Sequence, residues 1–335
     1  MCLLKNKNNT KAQSDVMVKS MFKNIEIYRL QMLDILSFRI PIAIIAAFVF
    51  SYFLLITLKR PVHNNQDILF ILIMLIALIS LYCFTYKPIK KYKKYYRNQT
   101  VPILLKSLGG TYQAENKTVD METLVNSNIV PKYDYKKSKE YLKSNIGDTE
   151  LEFCELLLKK KQSKYNDDKI VFKGGAIILH FPFEFLTNII ITKNQSRLKN
   201  LNKKAFNPQD SITLNHESFN KIFQIYSNNK KETLKLFKPE TTDMIIELYQ
   251  LFKYSTGCLD FSCELKNNKA LFLINYSKNV LEPSSIFQSE YNINKLKISK
   301  GEILAVINLI NQLKSDYVET YKNSPNYNTI KTKEK

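Results

Sequence analysis

The chain has no tryptophan and, across 335 residues, only seven glycines, three histidines and five cysteines. Each scarcity removes a class of mechanism. With so little glycine there is no glycine-rich dinucleotide fingerprint. The one adjacent pair, Gly174 and Gly175 in "KIVFKGGAIILHF", lacks a Lys-Ser or Lys-Thr at Walker spacing, so the pair predicts a bulge or tight turn rather than a phosphate loop. Cys2, Cys83, Cys154, Cys258 and Cys263 are odd in number and contain no CxxC, which argues against a disulfide framework. No lipobox precedes Cys2, which reads as a free thiol, and Cys154, Cys258 and Cys263 read as small core residues.

The histidines are equally uninformative. His63, His180 and His216 are far apart and lack metal-ligand spacing. His180 lies in an apolar, strand-like run and reads as a core or edge residue. His216 has Glu217 beside it, but neighbours on a strand point to opposite faces. The acidic pairs are Asp167 with Asp168, in a turn, and Glu150 with Glu152, which share one strand face. Two same-face carboxylates suit a cation or acid/base work. No third ligand stands near them in sequence, so they read as the wet face of a half-exposed strand. There is no nucleophile elbow and no kinase signature. The sequence therefore assigns no catalytic residue, no cofactor and no metal.

What is abundant is apolar and basic. "IPIAIIAAFVFSYFLLITL" (40–58) and "ILFILIMLIALISLYCFTY" (68–86) carry no charge and are nineteen residues each, close to the roughly 20 that cross a hydrocarbon layer. A signal peptide would start nearer the N-terminus than residue 40 and would not be followed by a second run. The link "KRPVHNNQD" (59–67) is too short for a domain, so a tight antiparallel transmembrane hairpin is expected. Lys and Arg number seven in residues 1–39, two in the link and six in 87–97. The positive-inside rule then puts both flanks, and both termini, in the cytoplasm.

Of the net charge of +20, residues 1–97 carry +11 and residues 98–335 carry +9, so the excess is densest beside the apolar runs. It peaks in "KPIKKYKKYYRNQT" (87–100), where Lys87, Lys90, Lys91, Lys93, Lys94 and Arg97 interleave with Tyr92, Tyr95 and Tyr96. Next to a membrane span this pattern predicts a collar on anionic headgroups, with the tyrosines as interfacial anchors, and argues against nucleic acid. Ahead of the first run, Met17, Met21, Ile25, Tyr28, Met32 and Ile35 repeat at helical spacing behind a possible N-cap at Ser14. This helix is expected to pack against residues 98–120 rather than lie on the leaflet.

From Asn98 the pattern becomes that of an α+β domain, reaching residue 322, between a disordered leader (1–13) and tail (323–335). A helix through "QTVPILLKSL" ends at Gly109, and a short one lies near "DMETLVNSN". Strands are expected at "TELEFCELLLKKK", "KIVFK", "GAIILHFPF", "TNIIITK", "FNKIFQIYS", "GCLDFSCEL" and "ALFLINY". Helices are expected over "ETTDMIIELYQLFK" and from a capping box at Ser299 and Glu302 onward. An antiparallel sheet or partly closed barrel with packed helices follows.

Taken in order, the two apolar runs, the basic exit, "SNIVPKYD", "ELEFCELLL", "VFKGGAIILHFPFEF" and "FNKIFQIYSNNKKETLKLFKPE" resemble the bacterial family catalogued as domain of unknown function 3137. The resemblance implies a bacterial inner-membrane location and a cytoplasmic domain, and it carries over no established activity, cofactor or site residue. The function expected is a membrane-anchored binding or scaffold module holding a protein or lipid partner. The alternative is an enzyme acting on a membrane-proximal or lipid-derived substrate. The sequence carries no signal for oligomeric state.

Overall fold

A computed structural model of the chain describes residues 2–58, 65–107, 111–113, 121–162, 168–194, 210–276, 283, 285–289 and 293–321. It divides into two compact units: Met1–Ile103 with Leu281–Ile293, and Leu104–Val280 with Asn294–Lys335.

The first unit is built on two long helices, α1 (Cys2–Leu58) and α2 (Asn65–Ser107). The leader, the helix expected from Ser14 and the first apolar run are one element. Ser14 therefore lies inside α1 rather than at its start. The buried stripe is Met21, Ile25, Arg29, Met32 and Leu36, steps of three and four residues that keep one helical face inward. Leu36 takes the place expected for Ile35, which is exposed. Tyr28 stacks on Tyr95 of α2 at 4.0 Å, and the Arg39 guanidinium sits over the Phe84 ring and donates to the Phe84 carbonyl at 2.7 Å. Arg29 is buried but satisfied: it pairs with Glu26 at 2.6 Å and donates to the Ile286 carbonyl at 2.7 Å. The partners of the leader helix are thus α2 near Tyr95 and residues 286–289, where Ser289 donates to Glu26 at 3.1 Å.

Among the described residues one segment, Ser20–Phe53, is long and apolar enough to cross a membrane. It overlaps the first expected span. The second, 68–86, lies in α2, where many side chains are outside the described residues, as is most of the link with His63.

The second unit is a nine-stranded antiparallel sheet with helices. Its elements are β1 (Thr111–Gln113), α3 (Met121–Val125), β2 (Tyr135–Ile146), β3 (Thr149–Lys160), β4 (Lys169–His180), β5 (Ile189–Lys193), β6 (Ser211–Ile212), α4 (Glu217–Ile222), β7 (Phe223–Ser227), α5 (Lys230–Leu236), α6 (Pro239–Thr256), β8 (Asp260–Lys266), β9 (Lys269–Asn275) and α7 (Ile293–Tyr321). The strand order is β1-β2-β3-β4-β9-β8-β5-β7-β6. β1 and β6 are the edges, so among the described residues the sheet is open and the expected barrel does not close.

Several elements differ from expectation for local reasons. "KIVFK" and "GAIILHFPF" form one twelve-residue strand, β4, because the Gly pair neither turns nor bulges. A Cβ on Gly174 would lie 2.0 Å from the Ile274 carbonyl oxygen, so the glycine permits the close approach of β9. "FNKIFQIYS" splits into α4 and β7, since the His216 imidazole accepts from the Phe219 amide at 3.1 Å and caps a short helix. The final helix begins at Ile293, which puts Ser299 inside it and excludes the expected capping box. β2 was not expected at all. The β8–β9 turn is tight, with Asn267 at φ 54°.

One apolar core lies where Cys154 and Leu156 of β3, Ala176 and Ile178 of β4, Leu271 and Leu273 of β9, and Ile190 and Tyr226 meet Leu124, Ile129 and Val130 of the α3 segment. The phenylalanines of "HFPFEF" form a second cluster. Phe181, Phe183 and Phe185 pack edge and tilt on one another, and Phe183 stacks on Tyr317 of α7 at 3.8 Å.

Candidate functional site

In the basic segment Lys87, Lys90, Lys91 and Lys94 are exposed, and Lys93 and Arg97 are half-buried. The tyrosines lie elsewhere. Tyr92 and Tyr96 are 0% and 2% exposed, and Tyr95 is stacked on Tyr28. Their spacing of three and four residues turns Tyr92, Tyr95 and Tyr96 into the first unit, so the face left outward is the lysine face. Along α1, Ile42, Ile45, Phe48 and Tyr52 are 55, 63, 73 and 64% exposed. Only 6% of the most apolar stretch of Ser20–Phe53 is buried. Soluble proteins seldom leave so continuous an apolar patch in water.

The second candidate is the polar end of the core face. In an antiparallel sheet, residues directly opposite share a face. The register aligns Glu150 with His180 and His180 with Lys269, and in the next row Glu152 with Ile178, Leu271 and Glu264. These polar groups therefore continue the face whose apolar part carries the core. Glu264 is 3% exposed and is held by Ser127 Oγ at 2.5 Å, Asn128 N at 3.0 Å and Asn128 Nδ2 at 2.8 Å. Beside it is a cleft of about 260 Å³ bordered by Glu122, Thr123, Lys266 and Lys269. Lys269 donates to Thr123 at 2.8 Å and Lys266 to the Asn126 carbonyl at 3.1 Å. These bonds tie the α3 segment to the sheet, and three donors already engage the Glu264 carboxylate.

In the neighbouring row the structure joins residues that the sequence separates. Glu150, Glu152 and His180 each offer a donor atom, and these atoms lie within 4.8 Å of one another. Glu150 and Glu152 do share one face, as the alternation predicts. What sequence spacing missed is His180, brought opposite Glu150 by the β3–β4 register across thirty residues.

Other candidates resolve into structure. His216 also contacts Asp243 of α6 through Nε2 at 3.0 Å, so its ring ties a helix cap to the next helix. Burial pushes the Cys154 and Cys258 thiols up to about 12 and Cys263 well above its ordinary value, which suits core residues rather than nucleophiles. Glu302 is 5% exposed and desolvation raises its carboxyl to about 7, moderated by a hydrogen bond from Ser255. Asp168 is exposed, and Asp167 lies outside the described residues.

Residues 170–315 match the family described as a protein of unknown function, DUF3137. The match covers less than half of the chain. It includes β4 to β9 and His180, whereas β2, β3 and both carboxylates of the cluster precede it. No curated protein matches the chain. Among solved structures, the mycobacterial trehalose monomycolate transport factor A, TtfA, is similar over 64% of this chain and 95% of its own, at 9% identity and a TM-score of 0.29. A likeness that distant carries no argument about fold or function.

Proposed function

We propose that this chain is a membrane-tethered binding module, in which the helices of the first unit anchor a DUF3137 domain that holds a partner at the membrane surface. The observation that carries the reading is the exposure of the apolar side chains between Ile42 and Ile56 of α1. They cost least in free energy when hydrocarbon, not water, surrounds them. We further propose that α1 and α2 form a transmembrane hairpin with spans at 40–58 and 68–86 and cytoplasmic flanks. The contacts Tyr28–Tyr95 and Arg39–Phe84 support antiparallel pairing, since rising numbers in α1 meet falling numbers in α2. The basic flanks on either side of the short link support the orientation.

Lys87, Lys90, Lys91 and Lys94, being exposed, supply the contact with anionic headgroups, each worth on the order of 1 kcal/mol. The tyrosines are not anchors in this reading, because two of the three are buried. The partner of the domain is a protein or a lipid. The enzyme alternative gains nothing from Cys154, Cys258 and Cys263, whose thiols burial keeps protonated.

Reporter fusions test the anchor. A reporter active only in the cytoplasm is expected to work after Lys335 and to fail when inserted at Asn64. Activity at Asn64 with silence at Lys335 reverses the orientation, and release of the chain by alkaline carbonate washing refutes the anchor altogether.

A further inference from the structure

We propose that Glu150, Glu152 and His180 form a binding site for a divalent first-row transition-metal ion, with zinc the best fit and one coordination position left for water or a ligand. The proposal does not depend on the membrane reading, because all three residues belong to the second unit.

The geometry comes from the strand register. Glu150 stands directly opposite His180, and Glu152 is two residues further along β3, so all three side chains rise from one face. The His180 Nε2 is 3.4 Å from Glu152 Oε1. With metal–ligand bonds of about 2.0–2.1 Å, the edge of a tetrahedron is about 3.3–3.4 Å. That pair is thus already spaced as two ligands of one ion. The third donor lies within 4.8 Å of the others on the Glu150 side chain, which is 34% exposed and paired with Lys143.

A second observation points to a ligand. His180 Nε2 is buried and has no hydrogen-bond partner among the described residues, although it faces the carboxylates. A buried imidazole nitrogen without a partner loses a hydrogen bond that water would have made. A cation between it and Glu152 restores the lost interaction. The donor set suits the ion: imidazole favours zinc and its neighbours over magnesium or calcium, and three protein ligands with an open fourth position is the arrangement of reactive zinc sites.

Lys143 sets the affinity. Its ammonium is 2.7 Å from Glu150 Oε1 and stands opposite Glu152 in the β2–β3 register. An entering cation must take the other Glu150 oxygen or displace the lysine, and the two positive charges repel. The lysine is therefore a built-in competitor. Its removal is expected to tighten metal binding, the reverse of what removing a ligand does.

The test is calorimetric titration of Zn²⁺ into the full-length chain in detergent after chelator stripping, with His180→Gln, Glu150→Gln and Lys143→Gln compared. One equivalent is expected to bind. Each ligand substitution is expected to weaken it by about 10–100-fold or more, and Lys143→Gln to strengthen it. Glu152 is buried, so the two more exposed ligands carry the test, with far-UV circular dichroism confirming that each variant is folded. No binding by the wild-type chain overturns the proposal. So does binding that folded His180→Gln leaves unchanged, which would place the ion on other residues such as the cysteines. A Lys143→Gln variant that binds more weakly would overturn the role given to the lysine.

Discussion

Glu302 offers the sharpest quantitative test of the packing in the second unit. Its carboxyl is buried in α7, one of its oxygens has no hydrogen-bond partner among the described residues, and desolvation holds its pKa at about 7 against an ordinary 4.5. In this fold the protonated form is favoured, while the unfolded chain ionises it freely. The folded state therefore binds more protons than the unfolded one between pH 4.5 and 7, and stability falls as pH rises through that window. Below it both states are protonated and nothing is lost; above it the loss is complete. The difference of about 2.5 pKa units corresponds to roughly 3 kcal/mol at pH 8. Glu302→Gln is neutral at every pH and nearly the same shape. It is expected to match the wild type near pH 4.5 and to exceed it by about 3 kcal/mol at pH 8, or about 6–12 °C in Tm for a unit of this size. Far-UV circular dichroism melts across that pH range read the difference directly, since ionisations common to both proteins cancel. Parallel pH profiles, or a variant less stable than wild type at pH 8, would refute the reasoning.

Two further tests probe the sheet and the core. Gly174→Ala places a methyl group 2.0 Å from the Ile274 carbonyl oxygen, where only backbone movement can relieve the overlap. It is expected to cost on the order of 3 kcal/mol or more and to lower the melting temperature, whereas Gly301→Ala, with open space around the added carbon, is expected to be tolerated. Thiol labelling in the native state is expected to leave Cys154, Cys258 and Cys263 unmodified until denaturant is added, because burial both hides them and keeps them protonated. Rapid native labelling of any of the three, read by peptide mass spectrometry, would contradict the core described above.

How far the sequence carried this structure depended on whether the signal was local. β3, β8, β9 and α6 are legible because alternation or helical periodicity, a turn residue such as Asn267, and Pro239 at a helix start all act within a few residues. β2 is not, because "YKKSKEYLKSNI" offers little hydrophobic alternation. Its strand form is set by pairing with β1 and β3. The α4–β7 segment misled for another reason. Phe219, Ile222, Phe223 and Ile225 fit either period, and the deciding feature is a histidine acting as a cap, which is uncommon among capping residues. Ser299 and Glu302 have the spacing of a capping box, yet Glu302 is buried in a helix that starts six residues before Ser299. The basic segment was found as a segment, but which of its residues face outward was not, since a spacing of three and four marks a shared face without saying what that face meets.

The candidate metal cluster is the clearest case of information that exists only in the fold. Nothing in the spacing of Glu150 and His180 relates them. Their pairing follows from the long β3–β4 register, which is fixed in turn by the core residues further along both strands. Slipping β3 by one residue against β4 would turn Cys154, Leu156 and Leu158 out of the core and both carboxylates away from His180. The apolar half of the face thus specifies the polar half. The same logic bears on the segment matching DUF3137. Taken alone, residues 170–315 would leave β4 as an edge, with an eleven-residue row of backbone groups unpaired and Val171, Phe172, Ala176 and Ile178 stripped of their β3 neighbours. Such an edge invites pairing with other chains. The physical unit must therefore extend back at least to β2 and β3, and with them it acquires the two carboxylates that complete the cluster around His180.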